Sequence, residues 1–176
     1  NIDLFAEAFP GRSLYLVNYR GYGGSSGRPS EAGLSVDTLA VFDHVRRIAY
    51  ACLSPRTHPE PLAELCDELG FAPCAFAAAD VAGVPIYHTN VMLAVGSRSC
   101  VVAADAIDVR DRERVLASLT ASGRHVEMID AAQMAGFAGN VLELRSSDSA
   151  SVLAMSATAH HSFGPAAIER LAATVN

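Results

Sequence analysis

Short apolar runs alternate along this chain with stretches whose apolar residues recur every three or four positions. The runs predict buried strands, and the wider spacing predicts helices that turn one face towards the core. The predicted strands are 14–17, 48–53, 74–78, 91–96, 100–104, 125–129, 141–144 and 152–155. The predicted helices are 36–46, 59–69, 110–122, 131–137 and 165–174. This alternation of strands and helices is typical of an α/β protein.

Turn residues divide these elements into a repeating unit. Pro59 begins one helix and Gly70 follows it, which are the positions these residues favour at helix ends. The strands within 91–104 and 141–155 predict two hairpins that turn through 97–99 and 146–149. A strand–hairpin–helix pattern thus recurs about every fifty to sixty residues, within the range of modular folds. Because hairpins alternate with helices, we predict mixed rather than purely parallel sheets.

Composition excludes several kinds of function. Hydrophobic residues make up 51% of the 176 residues and charged residues 18%, which is enough apolar material for a core. All 13 basic residues are arginine, so neither a phosphate-loop lysine nor a Schiff-base lysine is available. The formal net charge of −6 disfavours binding to nucleic acid or to an anionic membrane. No apolar run approaches the roughly 18 residues that a membrane helix needs.

The four cysteines, Cys52, Cys66, Cys74 and Cys100, lack the paired spacing of a zinc site or a disulfide framework. We expect reduced, buried and inert thiols in a cytoplasmic protein. We expect no metal and no other cofactor. The adjacent His160–His161 pair predicts a turn or a helix start, because neighbouring side chains project in different directions.

The segment 18–27, with 29–31 and 33–34 after it, resembles part of the α/β-hydrolase-fold proteins. In that family a strand and a G-x-S-x-G turn carrying a nucleophilic serine should follow. No such motif follows this segment, because 96–100 lacks the closing glycine. We therefore interpret 1–40 as an α/β-hydrolase-like segment. An esterase-like remnant without its serine turn is one alternative function.

Three further blocks, at 47–57, 85–92 and 137–144, resemble the arginine-deiminase-related, citrulline-utilising amidinohydrolases of the pentein superfamily. The resemblance implies an α/β propeller in which about five related units close into a ring around a channel. It assigns 41–176 to an incomplete pentein domain fused to the first segment. The stretch 41–46 fits both families, either as the end of a helix or as the first strand of a pentein hairpin. We favour the strand and place the junction near Ala40.

The resemblance also implies a chemistry. Family members hydrolyse C–N bonds of guanidino or ureido groups with a thiolate nucleophile, a histidine that protonates the departing amine, and polar groups that hold the planar head. His88 matches the catalytic histidine by its place in the second block, and Asn90 and Asn140 match positions that orient substrate. Considered without the family, a lone histidine is typically structural and an asparagine often caps a turn.

The family's nucleophilic cysteine lies beyond the last helix found here, and none of the four cysteines matches it. We therefore expect this chain to be inactive by itself towards arginine- or citrulline-like substrates. A non-catalytic module that binds a guanidino ligand or a partner chain is the second alternative. The expected partners are a small guanidino or ureido amino acid and, through exposed apolar edges of an incomplete ring, other copies of the chain.

Overall fold

The computed structural model describes residues 40–145 and 150–175. The predicted strand 14–17, the turn 146–149 and nearly all of the hydrolase-like segment lie outside these residues. The described strands are β1 (Ala40–Asp43), β2 (Ile48–Leu53), β3 (Ala72–Ala77), β4 (Leu93–Val95), β5 (Ser99–Val102), β6 (His125–Met128), β7 (Leu142–Arg145) and β8 (Ser151–Ala154). The helices are α1 (Pro59–Leu69), α2 (Val109–Thr120), α3 (Ala131–Ala135), α4 (Ala157–Phe163) and α5 (Pro165–Ala172).

The described part of the chain repeats one motif. In unit 1, β1 and β2 form an antiparallel hairpin, and α1 leads to β3, which lies parallel to β2. In unit 2, the hairpin β4–β5 is followed by α2 and by β6, which lies parallel to β5. Unit 3 has the hairpin β7–β8 and then α4 and α5. The second hairpin strands begin at Ile48, Ser99 and Ser151, 51 and 52 residues apart. The predicted period and the mixed sheets are confirmed.

The two faces of β2 pack into two different hydrophobic cores, because successive side chains of a strand point to opposite sides. Ala49 and Ala51 pack with the buried side of α1. Tyr50 and Cys52 point into the main core, which they share with residues of units 2 and 3. The largest fully buried side chains of this main core are those of Tyr50, Phe76, Met92, Leu93, Val102, Ile107, Val115, Leu119 and Leu171. One core therefore joins the three units.

Helix α1 shows how closely local sequence sets an element. Pro59 occupies the first helical position, where its missing N–H costs nothing. Gly70 ends the helix with a φ of 69°, a left-handed conformation that glycine adopts without strain. Leu62, Leu65 and Cys66 form its buried face. The predicted bounds, 59–69, are confirmed.

Other predictions need correction. Of the two alternatives for 41–46, the favoured strand is confirmed over 41–43, which pair with β2, and the helix over 36–46 is wrong for its described part. A turn follows the strand, and Arg47 in this turn has a φ of 56°. Helix α4 was not predicted, and it places His160 and His161 in its last turn rather than at its start. The predicted helix 131–137 ends at Ala135, since Phe137 adopts a φ of 65°.

Candidate functional site

His88 lies in the loop that enters unit 2, directly before a 3₁₀ turn formed by Thr89–Val91. Its side chain is half-buried, whereas Thr89 is fully buried. The Thr89 hydroxyl accepts a hydrogen bond of 2.9 Å from the backbone N–H of Cys52 in β2. The backbone N–H of Val91 donates to the His88 carbonyl over 3.0 Å. The first bond fixes the His88 turn to the sheet of unit 1, and the second closes the turn itself.

Two further side chains form a row with His88. The Tyr87 ring centroid lies 4.5 Å from that of His88, at an interplanar angle of 51°. The guanidinium carbon of Arg56 lies 4.5 Å from the centroid of the same Tyr87 ring. Arg56 belongs to the turn after β2, where its backbone N–H donates to the Ser54 hydroxyl. Sequence reasoning assigned no role to Arg56 or Tyr87, although both lie in the blocks that carry the pentein resemblance.

Asn140 follows a glycine that packs directly on the His88 turn. A Cβ atom added to Gly139 would contact the Val91 carbonyl and lie 2.9 Å from the Met92 Cα. Only glycine permits so close an approach of two backbones. The segments carrying His88, Asn90 and Asn140 therefore meet at one place. Both asparagine side chains are exposed.

The four cysteines are free and buried. Burial raises the pKa of the Cys52 thiol to about 12 and that of the Cys100 thiol to about 11. Burial also raises the pKa of Cys66 and of Cys74. Because the thiolate is the nucleophilic form, these groups are inert at neutral pH. The prediction of buried thiols is confirmed.

Comparison with known proteins decides the family. The family model described as N,N dimethylarginine dimethylhydrolase, eukaryotic, matches residues 14–176. The chain belongs to this family. The dimethylarginine dimethylhydrolase match confirms the relationship to the pentein amidinohydrolases. The match begins at residue 14, inside the segment that resembles α/β-hydrolases, and the domain boundary near Ala40 stays a prediction.

Solved structures share the fold of this dimethylarginine dimethylhydrolase relative. The substrate-bound N-terminal domain of a mutant of ArgZ, an arginine dihydrolase from the ornithine–ammonia cycle in cyanobacteria, has a TM-score of 0.55 at 16% identity. That match covers 78% of this chain and 46% of the ArgZ domain. Apo ArgZ gives a TM-score of 0.50 at 15% identity, with 61% of this chain and 16% of ArgZ covered. The chain thus spans less than half of either structure.

One curated protein shares a short segment with the chain. An uncharacterized membrane protein, YNL320W, from Saccharomyces cerevisiae is 48% identical over 44 residues, which are 25% of this chain and 15% of the yeast protein. In the described part of the chain, no helix is long and apolar enough to cross a bilayer.

Two acidic residues of this family member, Asp80 and Asp108, hold local structure. The Asp80 carboxylate accepts from the backbone N–H groups of Ala82 and Val84. Asp108 caps α2 and pairs with Arg110, whose hydrogen bonds lower the pKa of Asp108 to about 2. Within residues 40–145 and 150–175, no group of three or more His, Cys, Asp or Glu side chains could hold a metal ion.

A cavity of about 400 Å³ lies at the hairpin turns of units 1 and 2 and beside β7. Its charged lining is engaged in contacts within the protein. Arg124 pairs with Asp43, and Glu143 accepts hydrogen bonds from the backbone and the hydroxyl of Ser97. The cavity therefore offers no evident anchor for a ligand, and the His88 turn is the better candidate site.

Proposed function

We propose that the chain forms part of an amidinohydrolase that cleaves a guanidino or ureido C–N bond of an arginine- or citrulline-like amino acid. Membership of the dimethylarginine dimethylhydrolase family supports this reaction class. The contact of Gly139 with Val91 and Met92 carries the proposal, because it joins the segments that hold His88, Asn90 and Asn140.

His88, Asn90 and Asn140 have different roles in the proposed reaction. A guanidinium carbon is a poor electrophile because its charge is spread over three nitrogens, so the departing amine needs a proton donor. In the proposed reaction a thiolate that this chain does not supply attacks the carbon, and His88 protonates the amine as its C–N bond breaks. His88 then takes a proton from the water that attacks the same carbon and releases the thiolate. The side-chain carbonyls of Asn90 and Asn140 accept hydrogen bonds from the N–H groups of the planar head. All three stay free for these tasks, since no hydrogen bond of their side chains occurs within the described residues.

The nucleophile is not supplied by Cys52, Cys66, Cys74 or Cys100, since all four are buried with raised pKa values. Removing a covalent nucleophile costs many orders of magnitude in rate. We therefore propose that the 176-residue chain binds its ligand without turning it over.

Two assays test these statements. For binding, the side-chain amide resonances of Asn90 and Asn140 are followed by NMR during titration with arginine, citrulline or ornithine. Ornithine is the matched control because it lacks the guanidino or ureido head. We expect the chemical shifts of both side-chain amides to change on addition of arginine or citrulline and to remain unchanged on addition of ornithine. An equal response to all three ligands, or none, would contradict the proposed function.

For turnover, release of ammonia from arginine or citrulline is compared between the chain and its His88→Ala variant. Release of dimethylamine from N,N-dimethylarginine is compared in the same way. We expect equal rates at the level of the uncatalysed reaction. A faster rate for the unmodified chain would refute the proposed inactivity.

We also propose that the three units belong to a propeller-like ring whose outer edge here is β8. In units 1 and 2 the second hairpin strand has a parallel neighbour, whereas β8 has none among the described residues. Strand β8 carries no charge and exposes its Val152, and Leu142 and Leu144 of the neighbouring β7 are exposed as well. Uncharged edges of this kind pair with other strands. The proposed occupant is β8 of a second copy of the chain.

Sedimentation over a range of protein concentrations tests the self-association. We expect concentration-dependent dimers that Val152→Lys abolishes, because a charge on the edge opposes pairing. Val109→Lys is the matched control, since Val109 is an exposed valine on α2. A monomer at all concentrations would contradict the proposal.

We also propose a cytoplasmic location. The support is that all four cysteines are free, as is typical of proteins in a reducing compartment.

A further inference from the structure

Tyr87 occupies a position that neither core packing nor hydrogen bonding accounts for. The side chain is 40% exposed, so it is not held by burial in the core. Its hydroxyl makes no hydrogen bond within the described residues. The Tyr87 ring contacts two side chains, the imidazole of His88 and the guanidinium of Arg56.

We infer that Tyr87 is a positioning residue that orients the His88 imidazole through its aromatic ring. Adjacent side chains of an extended segment normally point apart. Here the two rings instead lie 4.5 Å apart, within the range of attractive aromatic pairs. The ring of Tyr87 thus restricts the rotamers open to His88.

Arg56 in turn holds Tyr87. Its guanidinium carbon lies 4.5 Å from the Tyr87 centroid, a distance at which a cation is attracted to an aromatic face. No carboxylate pairs with Arg56 in the described part of the chain, so the ring is its principal contact. The cation therefore favours the Tyr87 rotamer that contacts His88.

Both ends of the row are tied to β2. Arg56 lies in the turn that follows this strand, where Ser54 and Thr57 pair through their backbones over 3.0 and 3.2 Å. At the other end, Thr89 binds the backbone N–H of Cys52 within the strand. Because Arg56 and the turn that begins at His88 are both anchored to this strand, their separation is fixed, and the Tyr87 ring contacts the side chains of Arg56 and His88. The orientation of His88 thus depends on a ring and a cation rather than on a hydrogen bond.

The importance of this orientation for catalysis rests on the proposed function, whereas the contact itself does not. The test therefore uses the imidazole proton resonances of His88 in the 176-residue chain, without ligand and at one fixed pH. His88→Gln assigns these resonances. The compared variants are Tyr87→Leu, Tyr87→Phe, Arg56→Lys and Arg56→Gln.

We expect Tyr87→Leu to shift the His88 resonances, because the ring current of Tyr87 is lost. Tyr87→Phe keeps the ring and is expected to leave them in place. Arg56→Gln shifts them in the direction of the Tyr87→Leu spectrum, and Arg56→Lys, which keeps the cation, shifts them less. The resonances of His125, His160 and His161 serve as references for the fold and stay unchanged.

Unchanged His88 resonances in Tyr87→Leu would overturn the inference, as would a Tyr87→Phe shift equal to that of Tyr87→Leu. If Tyr87→Leu does not fold, the Arg56→Gln variant is used instead. Unchanged His88 resonances in Arg56→Gln would also overturn the inference. If the variants give the expected shifts but the chain does not bind arginine or citrulline, the proposed function is refuted and the inference about Tyr87 stands.

Discussion

Arg124 and Asp43 form an ion pair that is almost completely buried between units 1 and 2. Two guanidinium nitrogens donate to the two carboxylate oxygens over 2.6 and 2.8 Å, and the side chains are 4% and 1% exposed. The third guanidinium nitrogen, Nε, donates a hydrogen bond of 3.2 Å to the Ser97 carbonyl, in the hairpin turn of unit 2. Asp43 also accepts from the backbone of its own turn, at Val45 and Arg46. The pair therefore fixes one hairpin turn against the other.

Arg124→Met leaves the Asp43 carboxylate buried without its partner. We expect the free energy of unfolding to fall by about 3–5 kcal/mol, the usual cost of breaking a buried pair. Arg110→Met, which removes an exposed pair with Asp108, is the matched control and is expected to cost much less, because water screens an exposed ion pair. Urea denaturation of both variants measures the difference. Equal costs would show that the Arg124 pair has no special structural role.

Acid weakens the same contact. Burial raises the pKa of Asp43, but the hydrogen bonds from Arg124 and from the backbone lower it more, so the pKa in the folded state lies below its usual value. A carboxylate with a depressed pKa stabilises the fold fully above its unfolded pKa of about 3.9 and loses this effect as the pH falls through the folded value. The stability advantage over Asp43→Asn should therefore be constant near neutral pH and shrink below about pH 4. An advantage that does not change with acidification would contradict this assignment.

Gly139 lacks room for a side chain. We expect Gly139→Ala to cost about 1–3 kcal/mol in unfolding free energy, the usual range for overpacking. It should also shift the amide resonances of Asn90 and Asn140, because the Val91 backbone must move. Gly123→Ala is the control, since Gly123 has open space around it but a φ of 73°. That variant should lose stability to backbone strain and leave both asparagine resonances in place. A Gly139→Ala spectrum identical to the parent's in this region would argue against the contact.

The buried thiols give a further prediction. With pKa values of about 12 and about 11, Cys52 and Cys100 are almost entirely protonated at pH 8, and burial keeps reagents from all four cysteines. A chromogenic disulfide reagent should therefore titrate no thiol rapidly in the native chain and all four in urea. One fast-reacting thiol under native conditions would contradict the statement that these cysteines cannot supply the nucleophile.

Local signals predicted the elements whose ends carry strong turn residues. Helix α1 was predicted to the residue because Pro59 and Gly70 bound it. The first strand is ambiguous in the sequence, since 41–46 fits both the end of a helix and the first strand of a hairpin, and only pairing with β2 decides. Helix α4 was missed although Ser156 caps it, because its buried face is limited to Ala159 and Phe163.

The candidate site was predictable only in part. The blocks that resemble penteins contain His88, Asn90 and Asn140, so family resemblance found these residues. Their proximity depends on Gly139 packing against Val91, a contact between segments almost fifty residues apart that no local pattern encodes. The row of Arg56, Tyr87 and His88 is likewise a tertiary feature, since Arg56 follows a strand of unit 1.

We propose that the side chains of His88 and Asn140 contact the same guanidino or ureido group. Calorimetric titration of arginine into the parent chain, His88→Ala, Asn140→Ala and the double variant tests it most directly. Two residues that hold the same group should show a coupling energy of about 0.5 kcal/mol or more, so the double variant should lose less affinity than the two single losses combined. Additive losses, or single variants that bind arginine as tightly as the parent, would contradict the account.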